Sequence, residues 1–155
     1  MSMYPSDDDQ PGQAVRLEAL VKTMNRAADE EKRLLSSTGR VVTRLSIAKL
    51  MVAARRARAP FFDADLLGEP ALDIVLFLYI AYREGRAVRI EAAMAASQVA
   101  VAVARRWIDV LVHKGLIEPI AAAQEPAQFV YLTDKAVAAT EATIDHYLTT
   151  AAAGL

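Results

Sequence analysis

Arg105–Glu118, RRWIDVLVHKGLIE, and Phe129–Ala136, FVYLTDKA, carry the strongest structural signal in this 155-residue chain. Ala104, Trp107, Ile108 and Leu111 fall at i, i+3, i+4 and i+7, the spacing of one helix face that packs on a core. The opposite stripe is Ala102, Arg105, Arg106, Asp109 and His113. Gly115 ends this helix, and Leu116-Ile117 begins a strand. The run Phe129-Val130-Tyr131-Leu132 is the returning strand of a hairpin. Thr133 or Asp134 then caps a closing helix that carries Val137, Ile144, Tyr147 and Leu148.

Upstream, an extended piece at Ala87–Arg89 leads into a small helix, Ile90–Ala96, and a tight turn, Ser97-Gln98-Val99. The longer helix, about Ala100 to Lys114, follows. Helix, three-residue turn, helix and hairpin is the order in which the second helix can enter a DNA major groove. Arginines at the exposed centre of such a helix suit phosphates and guanine edges, although Arg-Arg pairs also occur on plain solvated faces.

Before this unit lie three helical segments. Ala14–Ser36 repeats Leu17, Leu20, Val21, Met24, Ala28 and Leu35 at helical spacing over roughly 34 Å, with Ser36-Ser37-Thr38-Gly39 as its break. A second helix, about Val41 to Ala59, turns Leu45, Ala48 and Val52 inward and stops at Pro60. Its last turn carries Arg55, Arg56 and Arg58, which either cap the helix dipole or face phosphate. Phe61-Phe62 forms a hydrophobic plug, and Pro70 opens a third helix that ends before Gly85.

Hydrophobic residues make up 54% of the chain, enough for a packed core, and the absence of cysteine excludes disulfides and thiolate zinc sites. The formal net charge of −1 conceals an asymmetry: residues 14–62 carry +7 and residues 63–155 carry −5. The basic half suits a polyanion or an acidic partner, or coats solvated helix faces. Residues 1–13 read as a flexible acidic tail with no signal sequence. The longest apolar run, Ala71–Tyr82, contains Asp73 and is too short to span a bilayer. A cytoplasmic location fits these features.

The two opening stretches resemble the recognition helix, Gly-Leu turn, wing and closing-helix entry of MarR-type winged-helix regulators. The resemblance covers about 70–148 and rests on Trp107, the Lys114–Glu118 segment and Leu132-Thr133. It implies a symmetric dimer, built from the N- and C-terminal helices, on a roughly palindromic operator. Arg106 falls where such regulators place a DNA-contacting arginine. Ala102 and Val103 stand where they place serine or threonine, and Gln98 where the turn is often glycine. The chain departs from the pattern in its hairpin. Pro119, Ile120, Glu125 and Pro126 occupy positions that usually carry arginines, and Ala136 replaces a glycine.

Catalytic chemistry has no foothold. His113 and His146 lack a third ligand at metal spacing, no Gly-rich phosphate loop exists, and Ser97, His113 and Asp109 belong to one small motif without an oxyanion loop. Glu30-Glu31 reads as a solvated carboxylate pair. No cofactor is expected, and a small-molecule effector is left open.

The chain is therefore expected to be mainly α (α+β): a winged helix-turn-helix with a small β-hairpin wing and additional N- and C-terminal helices. Residues 14–62 form the dimerisation region and 63–155 the winged domain. The expected activity is that of a DNA-binding transcriptional regulator, not an enzyme. The DNA-facing set is Arg105, Arg106, Arg89, Ala102, Gln98, His113, Arg55 and Arg56. The alternative is a winged-helix protein-interaction or dimerisation module, suited to the apolar turn Ala100–Val103 and the non-basic hairpin. The apolar stripe of the first helix implies a homodimer. Sedimentation of the intact protein at micromolar concentration should give the dimer mass, and a monomer there contradicts the assignment.

Overall fold

The computed structural model describes residues 10–37, 42–63, 66, 68–121 and 124–153. Among them are α1 (Gln10–Ser37), α2 (Arg44–Arg58), α3 (Pro70–Arg83), β1 (Val88–Arg89), α4 (Ile90–Ala96), α5 (Val101–His113), β2 (Ile117–Ile120), β3 (Phe129–Leu132) and α6 (Asp134–Ala152). The fold is thus mostly helical with one small antiparallel sheet, ordered β1-β3-β2. This order is consistent with a winged helix. α1 begins four residues ahead of the expected start, whereas the acidic run Asp7–Asp9 and the break at Thr38-Gly39 lie outside the described residues.

α3 is the axis of the molecule. Proline occupies its first turn, where a missing N–H costs nothing. It is apolar nearly all round because neighbours cover it on several sides: α1, α2, α4, α5, α6 and β3 all pack against it. Ile74, Leu76, Leu78, Tyr79 and Ala81 are buried there, joined by Ala48 of α2, Ile108 of α5 and Ile144 of α6. Gly85 terminates α3 at φ +67°, and a Cβ there would sit 3.3 Å from the Cβ of Ala28 on α1. The close approach of α1 and the left-handed turn thus both call for glycine at this position.

α2 begins with a reciprocal cap rather than at Val41. The Thr43 hydroxyl accepts from the Ser46 amide, and the Ser46 hydroxyl accepts from the Thr43 amide. In the sheet, Val88 and Pro119 both stand opposite Val130, and Ile117 stands opposite Leu132. Proline is tolerated in β2 because that strand lies at the sheet edge. Thr133 caps α6 through the Ala136 amide, and its own hydroxyl donates to the Gly115 carbonyl at 2.8 Å. One side chain thus closes both the turn after α5 and the start of α6.

Three sequence expectations change. Phe61 and Phe62 are exposed and form no hydrophobic plug. The inward face of α1 is rotated: Met24, Ala27 and Glu31 are buried, while Leu17 and Val21 lie exposed. Glu31 is therefore not on a solvated face. It accepts from Arg83 Nη2 at 2.9 Å, and both side chains are almost wholly buried. Arg83 Nη1 lies 3.4 Å from Glu141 of α6, which also accepts from the Tyr79 hydroxyl at 3.1 Å. The same carboxylate faces Arg44 of α2, whose guanidinium grips Asp145 through two bonds of 2.9–3.0 Å. Burial, reinforced by the Glu141 carboxylate, pushes the Tyr79 phenol well above its ordinary pKa, so it donates at every physiological pH.

Breaking one partner of a buried ion pair strands the other charge. Glu31→Gln should lower unfolding free energy by about 3 kcal/mol in urea titration. Glu118→Gln, which loses only the exposed Arg16, should stay within about 0.5 kcal/mol. Equal shifts for the two variants would contradict this account.

Candidate nucleic-acid interface

α4 and α5 are joined by a turn that needs two local devices. The Ser97 hydroxyl donates to the Met94 carbonyl and closes α4. Gln98 then takes φ +57°, a left-handed conformation that costs an ordinary side chain about 1 kcal/mol. The chain thereby re-enters a helix at Val101 with its apolar stripe toward α3. Ala104, Ile108 and Leu111 are buried, as their spacing implies. Trp107 and Val112 are only partly buried, so the indole rests against the core rather than within it.

The other side of α5 faces solvent. Ala102, Arg105, Arg106, Asp109 and His113 are all exposed there, and no ion-pair partner within 4 Å is present for Arg105 or Arg106 among the described residues. Val101 is 67% and Val103 43% exposed in the first turn. No side chain caps that turn, since Ala100 stands at the N-cap. Neutral side chains there and guanidiniums one turn later form a face with an apolar leading end and a cationic middle.

The remaining expected residues separate into three groups. Arg56 and Gln98 line a single cleft of about 30 Å³, which places the end of α2 beside the turn that precedes α5. Arg89 lies apart, on β1 beside the loop end of β3, with its guanidinium 5.4 Å from the centre of the Phe129 ring. Arg55 turns inward, only 13% exposed, and pairs with Asp73 at 2.9 Å and Glu69 at 2.7 Å. Burial raises the Asp73 carboxyl above its usual pKa, and the Arg55 cation works against that rise. Arg58 donates to the Ala54 carbonyl of its own helix, the capping role open to a terminal cation.

The hairpin tip remains neutral to acidic. Gln124 takes φ +68°, and Glu125 accepts from the Gln128 amide. One cationic feature was missed in the sequence. Lys135 Nζ donates to the Lys114 backbone carbonyl at 3.1 Å, which brings one ammonium group from α6 to the C-terminal end of α5. The Leu132-Thr133-x-Lys135 entry to α6 was the available signal, because Thr133 anchors that entry to Gly115.

No protein-family model matches the chain, and no curated protein is similar to it. One solved structure, apo (heme-free) PefR, is similar over 68% of this chain and 93% of its own, at 19% identity and a TM-score of 0.36. Neither value is high enough for that protein to inform function.

The positions of the two adjacent arginines yield opposite expectations. Arg56→Ala should flatten the dependence of log DNA affinity on log salt by about 0.9, the share of one phosphate contact. Arg55→Ala should leave that slope alone and lower stability by about 1–3 kcal/mol by stranding Asp73. Salt titrations and thermal melts of the two variants check both, and an exchange of phenotypes would reverse the assignments.

Proposed function

We propose that the chain is a DNA-binding transcriptional regulator of the MarR-like winged helix-turn-helix type, with α5 as the recognition helix and β2–β3 as the wing. The observation that carries this reading is the pair Arg105 and Arg106, exposed and without an ion-pair partner within 4 Å among the described residues, at the middle of a helix whose opposite face is core. A guanidinium held this way has no internal acceptor to leave when it meets phosphate or guanine. Arg56 beside the turn supplies a phosphate contact, Lys114 and Lys135 flank the far end of α5, and Arg89 stands separately near the hairpin loop. The wing carries no arginine to place in a minor groove. Affinity therefore rests on α5 and its cationic surround, with a strong salt dependence.

Further parts of the reading concern assembly and control. The exposed Val15, Leu17 and Val21 of α1 are the surface through which two copies join, placing two α5 helices on one duplex. A cavity of about 490 Å³ between α1 and the hairpin, lined by Leu20, Thr23, Tyr131 and Lys135 among others, has room for a small-molecule effector. Among the described residues no group of His, Asp or Glu is placed to hold a metal, and no helix is long and apolar enough to cross a membrane. The second reading is a protein-interaction module, favoured by the exposed valines at the start of α5.

Arg106→Ala separates the two. For a recognition helix the substitution weakens specific duplex binding by about 1–3 kcal/mol, read by fluorescence anisotropy. Melting temperature stays nearly unchanged, because the side chain is exposed and unpaired. Binding equal to the parent on every duplex tested transfers support to the protein-interaction module.

A further inference from the structure

We infer that the first turn of α5 reads the 5-methyl groups of thymine, which makes Ala102 and Val103 specificity-determining residues for A·T pairs next to the base met by Arg106. The inference rests on the DNA-binding reading of α5 and adds to it the chemistry of the sequence recognised. In a helix-turn-helix the N-terminal residues of the recognition helix contact base edges. Here that segment, Ala100-Val101-Ala102-Val103, holds no hydrogen-bonding side chain, and all four of its members are exposed alkyl groups. The thymine methyl is the apolar feature that a base pair presents in the major groove, and alanine-sized and branched alkyl groups are its natural complement.

Placement supports the pairing. Ala102 precedes Arg106 by four residues and Val103 by three, so both share the outward face of that arginine. Four residues advance a helix by about 6 Å, or roughly two base steps, so the methyls lie within about two pairs of the Arg106 contact. A protein partner is the weaker occupant of this turn. Stable protein interfaces cover about 800 Å² on each side and centre on aromatic anchors. The most exposed apolar area here is one helical turn, followed on the same side only by the partly buried Trp107, which rests against the core, and by Val110 at 38% exposure.

The test uses the intact protein and a duplex isolated by its binding from a random-sequence pool. The same duplex is then made with deoxyuridine in place of thymine, first throughout and then one position at a time. Removing a methyl that is buried against the helix should weaken binding about fourfold per contacted position. Ala102→Ser and Val103→Ser, both at exposed positions and checked by thermal melting, should bind the two forms of the contacted position alike. Equal binding of both forms by the parent overturns the inference while leaving DNA recognition intact. Discrimination that survives in both serine variants overturns it as well, because the methyls are then read elsewhere. If no sequence is enriched over the random pool, this inference and the DNA-binding reading fall together.

Discussion

A buried guanidinium governs how this molecule is put together. Arg83 sits at the end of the central helix, where removal from water costs several kcal/mol unless acceptors surround it. Those acceptors come from opposite ends of the chain: Glu31 on α1 and Glu141 on α6. Glu141 is in turn shared with the Tyr79 hydroxyl and with Arg44 at the start of α2. Four helices are therefore referenced to one another through a few side-chain atoms. Arg83 Nε, with no hydrogen-bond partner, is the one imperfection in this arrangement among the described residues. The exposed face of α5 inherits its orientation from this frame, because α4 and α5 pack on the helix that Arg83 terminates.

The charge asymmetry along the sequence acquires a different meaning in three dimensions. Arg16 pairs with Glu118, Arg44 with Glu141 and Asp145, Lys49 with Glu84, and Arg55 with Glu69 and Asp73. Each pair joins the basic first part of the chain to the acidic second part. Much of the apparent surplus for a polyanion is thus complementary charge between two parts of one fold. Most of these pairs are exposed and individually weak, yet they select which surface of α1 and α2 faces the rest of the molecule. Arg105 and Arg106 of α5 stand outside these pairs.

Local patterns made the elements from Pro70 onward legible. Ile90–Ala96 and Phe129–Leu132 were bounded correctly because a proline, a glycine or a turn residue punctuates each neighbour. The turn glutamine was recognisable as a glycine-like position, and its φ of +57° gives the reason. Side-chain pairing across long sequence separation was not legible. Nothing near Arg55 in the sequence marks Asp73 as its partner, and nothing near Glu31 announces Arg83. Helical periodicity likewise placed an apolar stripe on α1 but not its rotation, since buried Glu31 looks polar to any hydropathy pattern. Trp107 was overestimated as a core residue for the converse reason: size and apolarity do not reveal how far a helix tilts its indole out of the core.

Pro119 shapes what the open edge of the sheet offers to any further strand. Leu116 accepts from the Thr133 amide, and bonded pairs alternate along an antiparallel ladder. Position 119, opposite Val130, therefore falls at an unbonded pair whose amide side points away from β3. Proline there costs the sheet nothing and removes a donor from its open rim. A strand from another molecule would find a gap in the hydrogen bonds needed to extend the ladder. The residue that stands where a basic side chain would fit the family pattern thus also interrupts the row of donors along the open edge of β2.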